Sequence, residues 1–405
     1  MREQASMRET DQLRALAELI VRFGANVQPG QILAISSEPG KEPLVRAIAQ
    51  AAYRHGAKFV DLSVFDVHLK RARAMYANPE TLDFVPPWLG QRVLALGEHR
   101  CARVALSGPV EPHLMAGIDP ELLGRDMLPS VPEGIAVVNE RTTNWTVAPC
   151  PTPTWAELVY PQLDPSEAFE RIWDAIAHVC RLDEPDPVSA WESRLDQLTQ
   201  VARKLEALEL EALRFEGPGT DLTVGLMPGS RWVCGRFSTI DGIPHAPNVP
   251  TEEVFTTPDP DRTEGYVQAT KPLFVSGVVI TGLRVRFEGG RATEIEADEG
   301  GGTLQALSRR DAGAARLGEV ALVDREGRIG PLDTVFFDTL LDENAASHIA
   351  LGQGYELAVE GARDLARINQ SEIHIDFMIG SDELSVTGVS GGSEVPLLRD
   401  GTWQI

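Results

Sequence analysis

An imidazole and a carboxylate stand two positions apart in a short β-prone run near the C-terminus. The run reads Ile373-His374-Ile375-Asp376-Phe377-Met378. Because successive side chains of a strand alternate between its two faces, His374 and Asp376 point the same way while the apolar residues take the other face. Burying such a polar pair is costly unless something binds it. The pattern therefore favours a site for a divalent metal ion.

A second imidazole lies in a run that is rich in oxygen ligands, Asp342-Glu343-Asn344-Ala345-Ala346-Ser347-His348. Two further carboxylates complete a candidate set: Glu253, after a proline-rich loop, and Glu319, just before an apolar strand. A mixture of imidazole and carboxylate ligands suits zinc, cobalt or manganese rather than calcium. Two such ions about 3.5–4 Å apart can share a carboxylate, lower the pKa of a water and polarise a carbonyl.

Taken singly, each candidate also has a purely structural explanation. A lone histidine is more often a surface or hydrogen-bonded side chain than a ligand. Glu319 could be an edge charge that protects a strand from unwanted pairing. The sequence contains no HExxH or other compact metal motif. Spacing alone is thus a weak signal for this set.

Composition excludes several classes of function. The chain has 405 residues, 43% of them hydrophobic, which is enough for two domains with their own cores. A formal net charge of -23 repels phosphate backbones, so nucleic-acid binding is disfavoured. No window approaches the roughly 20 apolar residues of a membrane span, and no apolar stretch precedes the first amphipathic helix. We therefore expect neither a membrane segment nor a secretory signal.

The four cysteines are far apart in the sequence and fit no zinc-finger or CxxC spacing. They are Cys101, Cys150, Cys180 and Cys234. The spacing predicts reduced, mostly buried thiols, which is typical of a cytoplasmic protein.

The N-terminal half alternates strands with amphipathic helices, which predicts an α/β domain with a parallel sheet covered by helices. Helices are predicted over residues 10–23 and 42–54, and strands over 31–35, 58–64, 103–107 and 134–138. No GxGxxG follows the first strand and no GxxxxGK[ST] is present, so nucleotide binding is a weak alternative.

Residues 164–213 are predicted to be mostly helical, with the second helix running from about 188 to 213. Beyond them the pattern changes to short strands punctuated by glycine clusters, which predicts a β-rich α+β domain that carries the metal site. We therefore expect a domain of residues 1–214 that ends in helices, followed by a catalytic domain of residues 215–405. The predicted strands are 220–226, 273–280, 282–287, 320–324, 372–377 and 384–389.

Four C-terminal segments together resemble the signature segments of one metallopeptidase family, the thermophilic aminopeptidase family of the aminopeptidase T type. The resemblance extends through nearly the whole chain, but the early helix that shares it is generic. The four segments are Pro250-Thr251-Glu252-Glu253-Val254-Phe255-Thr256, Arg316-Leu317-Gly318-Glu319, Asp342 through Gly352, and His374 through Gly380.

The resemblance implies that two divalent ions (zinc, cobalt, manganese or magnesium) are held by residues that match the family's ligands. Those residues are Glu253, Glu319, His348, His374 and Asp376. The resemblance also implies that Tyr355 matches an active-site tyrosine and that the protein is a homodimer. The implied activity is removal of unblocked N-terminal residues from peptides by a water that two metal ions activate.

Several points stay open at the level of sequence. Either Glu253 or Glu319 could be the ligand that bridges the two ions. Tyr355 could donate to the developing oxyanion or simply pack, and Glu252 could shuttle a proton or be a solvated loop residue. A non-peptidase metalloenzyme acting on another amide or ester is the main alternative function. A binding protein with a closed structural metal site is a third possibility.

Overall fold

The computed structural model describes the backbone of residues 2–405 and the side chains from residue 9 onward. The α-helices are α1 Arg2–Leu19, α2 Glu42–Arg54, α3 Val67–Tyr76, α4 Pro87–Glu98, α5 Pro120–Arg125, α6 Glu133–Asn139, α7 Pro153–Val159, α8 Pro165–Val179, α9 Pro187–Ala207, α10 Gly301–Leu307, α11 Thr339–Glu343 and α12 Ala362–Leu365.

Strands dominate the C-terminal half. The strands are β1 Ile32–Ser37, β2 Phe59–Val64, β3 Ala102–Ser107, β4 Trp145–Pro149, β5 Ala212–Gly217, β6 Thr220–Leu226, β7 Val233–Cys234, β8 Phe237–Ser238, β9 Pro244–His245, β10 Glu253–Thr256, β11 Pro258–Gln268, β12 Leu273–Val275, β13 Val278–Ile280, β14 Arg284–Glu288, β15 Arg291–Glu296, β16 Leu317–Val323, β17 His348–Gly352, β18 His374–Met378, β19 Ser385–Ser390, β20 Ser393–Arg399 and β21 Thr402–Trp403.

The chain forms two compact units. The first comprises the chain as far as Ile118 together with Asp126–Arg194 and Gly235–Thr251, and the second comprises Asp119–Arg125, Leu195–Cys234 and Glu252–Ile405. The two units interleave along the sequence, and the domain boundary after residue 214 stays a prediction. Within the described residues, no helix is both long enough and apolar enough to cross a membrane.

The first unit contains the predicted parallel sheet, in the strand order β2-β1-β3-β4. Helix α2 shows how the sequence produces this layer. Pro43 occupies its first turn, where the missing N–H costs nothing, and its buried residues recur at helical spacing from Leu44 to Ala52. The predicted α/β class is confirmed for this unit.

Two local predictions here were wrong. Residues 134–138 form helix α6 rather than a strand, because a five-residue apolar run does not distinguish the two and Glu133 in the first turn favours a helix start. The fourth strand is β4 instead. Helix α9 ends at Ala207 and not near residue 213, since Glu209 adopts a left-handed φ of 48° and β5 begins at Ala212.

The second unit is β-rich, as predicted, and the strands of its sheets pair antiparallel. One sheet has eight strands in the order β15-β14-β11-β6-β5-β19-β20-β21. A second sheet has five strands in the order β18-β17-β16-β10-β7, and its central strand β16 is buried along its whole length. A strand buried on both faces is expected to be apolar throughout. The glutamate in β16 is therefore the exception that needs an explanation.

Candidate metal centre

The register of the five-stranded sheet places four of the candidate ligands on one face. Glu319 on β16 and Asp376 on β18 both lie opposite Ala350 of the intervening strand β17. His348 precedes Ala350 by two positions, and His374 precedes Asp376 by two. Since residues directly opposite one another, and residues two apart, share a face, all four side chains project from the same side of the sheet.

The fifth candidate joins them from the neighbouring strand. Glu253 begins β10 and pairs with Val323 of β16, four positions after Glu319 and therefore on the same face. The structure thus brings together five residues that the sequence spreads over more than a hundred positions. Antiparallel pairing of strands β10, β16, β17 and β18 is what makes them converge.

The side chains form two groups that share one carboxylate. In the first group, His348 Nε2 lies 3.0 Å from Glu253 Oε2, and potential ligand atoms of Glu253, Glu319 and His348 all lie within 4.8 Å of one another. In the second, His374 Nε2 lies 3.1 Å from Glu319 Oε2 and 3.4 Å from Asp376 Oδ1. Ligand atoms of Glu319, His374 and Asp376 again lie within 4.8 Å. Glu319 is the member common to both groups.

Each histidine is oriented by a backbone carbonyl. His348 Nδ1 lies 3.1 Å from the carbonyl oxygen of Ala346, and His374 Nδ1 lies 2.8 Å from that of Gln353. A carbonyl only accepts, so each Nδ1 must carry a hydrogen and donate it. Nε2, which faces the carboxylates, is then the nitrogen available to a metal ion.

Burial and mutual repulsion perturb the acids of this cluster. Burial, reinforced by the negative charges of Glu253 and Asp376, raises the pKa of Glu319 to about 7. Burial alone would lower the pKa of His348, but the Glu253 carboxylate, 3.0 Å away, and the other surrounding carboxylates raise it to about 10. The pKa of Asp376 is lowered: burial opposes ionisation, but the neighbouring His374 outweighs it. Without a metal ion, the cluster therefore retains protons that a bound cation would displace.

The donor set fits divalent cations. Carboxylates outnumber imidazoles, and the buried Glu253 Oε2 meets no donor in hydrogen-bond geometry among the described residues, although His348 Nε2 is close to it. A buried, unsatisfied carboxylate oxygen is expensive unless a cation or proton compensates it. Imidazole nitrogens and carboxylate oxygens are the ligands that zinc and its neighbours prefer.

Tyr355 lies beside the second group. Its hydroxyl oxygen is 3.5 Å from His374 Nε2, and its ring packs against His374 and Phe255 at centroid distances of 5.0 and 5.8 Å. The backbone is fixed by a reciprocal pair of hydrogen bonds, since Tyr355 N donates to Thr257 Oγ1 and Thr257 Oγ1 donates to the Tyr355 carbonyl, each at 3.0 Å. Burial raises the pKa of the phenol, so its hydroxyl remains a donor at neutral pH.

One acid at this site was not singled out by sequence reasoning. Glu343, the last residue of α11, is buried, and burial together with the charges of Asp376 and Glu253 raises its pKa well above the ordinary value. Its carboxyl group therefore lies close to the two groups. The available signal was its place in the oxygen-rich run before His348.

The interpretation of Glu252 as a solvated loop residue was wrong, because that side chain is fully buried.

Comparison with known proteins identifies the family. The sequence matches the family model described as thermophilic metalloprotease (M29) over residues 9–403. The chain belongs to this metalloprotease family. It is 40% identical to aminopeptidase T of Thermus thermophilus (97% of this chain, 98% of that one) and 41% identical to aminopeptidase T of Thermus aquaticus (98% and 99%). Aminopeptidase 2 of Geobacillus stearothermophilus is 36% identical over 97% of both chains.

The fold agrees with this assignment. The solved structure of wild-type AmpT from Thermus thermophilus superposes with a TM-score of 0.87 and covers 97% of this chain and 99% of that one. The predicted family, the two-part fold class and the prediction of a hydrolytic metalloenzyme are confirmed. Membership of the M29 metalloproteases also implies use of a divalent metal, as the ligand chemistry had indicated.

Proposed function

We propose that this M29 metalloprotease is an aminopeptidase that releases unblocked N-terminal residues from peptides with the help of two divalent ions. The observation that carries the proposal is that Glu319 belongs to two ligand groups at once. The names of the relatives, all aminopeptidases, support the choice of substrate. In this arrangement Glu253 and His348 would hold one ion, His374 and Asp376 the other, and Glu319 would bridge them.

Two divalent ions held by these residues would supply Lewis-acid chemistry, lowering the pKa of a water and polarising the scissile carbonyl. Imidazole nitrogens beside carboxylate oxygens favour zinc, cobalt or manganese, and magnesium is a further candidate. The sequence left the bridging role open between Glu253 and Glu319. The central position of β16 in the sheet supports Glu319.

The protein's own side chains then supply binding and proton transfer. Glu343 is buried beside the two groups, and once bound cations displace its proton, its carboxylate would be placed to take a proton from the attacking water and return it to the leaving amine. The neutral hydroxyl of Tyr355 is placed to donate a hydrogen bond to the oxygen on which negative charge develops. The excess of carboxylates attracts the protonated α-amine of an unblocked peptide, which explains why a blocked N-terminus should be rejected.

Replacement of His374 by alanine tests the proposal. The variant should lose metal-dependent hydrolysis of an aminoacyl-nitroanilide, because His374 would be the only imidazole ligand of the second ion. His113→Ala is the matched control, since His113 is exposed and lies in the other compact unit. Full activity of His374→Ala would refute the assignment of this site.

A pair of peptide libraries separates the main alternative. An aminopeptidase must cleave the series with free N-termini and reject the acetylated series. Equal turnover of both, or turnover only of other amides or esters, would show a non-peptidase metalloenzyme. A closed structural metal site is disfavoured because the His374 side chain is 22% exposed, which leaves one side of the second group accessible.

We also propose that the protein forms a homodimer through an apolar surface of the first unit. Strand β2 is an edge strand of the parallel sheet, and its side chains include exposed apolar residues. Further exposed apolar side chains follow along the next elements. We assign to this apolar surface Leu62 at 48% exposure, Val64 at 55%, Leu69 at 69%, Tyr76 at 79%, Phe84 at 60% and Trp88 at 65%.

Monomers rarely leave so many large apolar side chains exposed within one stretch of chain, and an uncovered edge strand invites pairing. A second copy would cover both. The double variant Leu69→Asp/Trp88→Asp should shift sedimentation from dimer to monomer, whereas Ile240→Asp, at an exposed position outside the apolar surface, should not. A dimer that survives the double variant would contradict this assignment.

The cysteines support a cytoplasmic location. All four are free and buried, and burial raises the pKa of the Cys150 thiol to about 12. A chain that keeps four thiols reduced suits a reducing compartment.

A further inference from the structure

Asn344 lies at the junction of three segments that build the candidate metal centre. It is fully buried, follows Glu343 at the end of α11, and precedes His348 by four residues. Its amide nitrogen donates to the carbonyl oxygen of Leu340 at 2.9 Å and to Glu343 Oε1 at 3.4 Å. Its amide oxygen accepts a hydrogen bond of 2.6 Å from the backbone N–H of Glu252.

This last bond reaches the peptide that immediately precedes a proposed ligand. Strand β10 begins at Glu253, where the first pairing with β16 occurs, and its pairs with β7 begin only at Val254. The backbone N–H of Glu252 therefore lies just outside the strand pairing. Asn344 supplies its acceptor and so fixes the direction in which the chain enters β10.

Few side chains can make this set of contacts. A primary amide offers an acceptor on one side and two donors on the other, at fixed positions. Aspartate would keep the acceptor for Glu252 but lose both donors and add a charge beside Glu343. Leucine has a similar volume but neither donor nor acceptor, which would leave two buried backbone groups without this partner.

We propose that Asn344 is a positioning residue that sets the separation between Glu253 and Glu343 across the metal centre. Its carbonyl side orients Glu253 toward the ion shared with His348, and its amino side orients the Glu343 carboxylate toward the substrate. The roles of Glu253 and Glu343 in this inference rest on the proposed function. Removal of residues that orient ligands typically weakens metal binding or activity by about 10–100-fold.

The test compares Asn344→Leu and Asn344→Asp with a matched buried asparagine. Asn144 is also fully buried, donates its amide to backbone carbonyls of the first unit, and lies far from the site in sequence. Zinc binding to each metal-free protein is measured by calorimetry, and kcat and KM are measured at saturating zinc. Thermal unfolding of each metal-free variant records the purely structural cost.

We expect Asn344→Leu to bind zinc about 10–100-fold more weakly and to lose kcat with little change in KM. Asn344→Asp should retain more of the zinc affinity, because the acceptor for Glu252 remains. It should still lose kcat, because it offers no donor to the Glu343 carboxylate. Asn144→Leu should lower the unfolding temperature while zinc affinity and kcat stay within about twofold of wild type.

Wild-type zinc affinity and kcat in a folded Asn344→Leu would overturn the proposal. If that variant does not fold, Asn344→Asp decides, and a wild-type kcat would overturn the proposal. The proposed function and the positioning role of Asn344 can be refuted separately. A wild-type protein that cleaves no peptide refutes the proposed function, whereas the zinc affinity of the variants still measures whether Asn344 positions Glu253.

Discussion

Replacing Glu319 by glutamine should stabilise the metal-free protein at alkaline pH. The same substitution should remove most of the stabilisation that added metal gives to wild type. The pKa of Glu319 is raised from its ordinary value of 4.5 to about 7 by burial and by neighbouring carboxylates. Because the folded-state pKa lies above the unfolded one, stability from this group is fully present below about pH 4.5 and is lost as pH rises through about 7. At about 1.4 kcal/mol per pKa unit, the loss above pH 8 is at most roughly 3 kcal/mol.

Glutamine mimics the protonated acid and should not suffer this loss. After dialysis against a chelator, Glu319→Gln should therefore unfold at a higher temperature than wild type at pH 8 and at a similar temperature at pH 4.5. Added zinc should raise the unfolding temperature of wild type strongly and that of the variant weakly, because the stabilisation by a ligand grows with the logarithm of its concentration divided by its Kd. Hydrolysis should fall to background.

Glu294→Gln is the matched control, since Glu294 is exposed on β15 and its replacement should leave all three measurements unchanged. A metal-free Glu319→Gln that is no more stable than wild type at pH 8 would refute the predicted cost of ionising Glu319. Equal stabilisation of the variant and wild type by zinc would refute the role of Glu319 as a ligand.

Three other predictions concern Tyr355 and His348 at the candidate metal centre and His245 in the first unit. Tyr355→Phe should lower kcat about 10²–10³-fold with little change in KM. Tyr266→Phe, at an exposed position on β11, should not, and equal effects of the two substitutions would exclude an oxyanion role. Zinc binding to the metal-free protein should release protons, and the zinc affinity should increase as pH rises toward the pKa of His348, about 10. Calorimetry in buffers of different ionisation enthalpy measures this proton release, and a binding heat that does not depend on the buffer would contradict the prediction. Burial lowers the pKa of His245 to about 4, so the free energy of unfolding should decrease as pH falls from about 6.5 to 4. His245→Phe should reduce that decrease, and an unchanged pH profile of unfolding in the variant would contradict this role of His245.

Local sequence patterns account for only part of the candidate site. His374 and Asp376 share a face because strands alternate, and that inference needs only local geometry. Their convergence with Glu253 depends on the pairing of β10 with β16, which is a long-range register that no local pattern specifies. The resemblance to a family, and not spacing, connected these residues before the structure did.

The errors have local causes. Residues 134–138 were taken as a strand because a short apolar run fits either a strand or a helix, and the helix start at Glu133 decided the outcome. Glu343 was overlooked because a glutamate in a charged run is ordinarily solvated. In the structure α11 packs against β18, and only this packing shows that Glu343 is buried among other carboxylates.

The most direct test of the two-ion centre is crystallographic location of the metals by anomalous scattering, in crystals soaked with zinc. We expect two peaks about 3.5–4 Å apart. One should lie among Glu253, Glu319 and His348, and the other among Glu319, His374 and Asp376. A single peak, or peaks that do not share Glu319, would contradict this expectation.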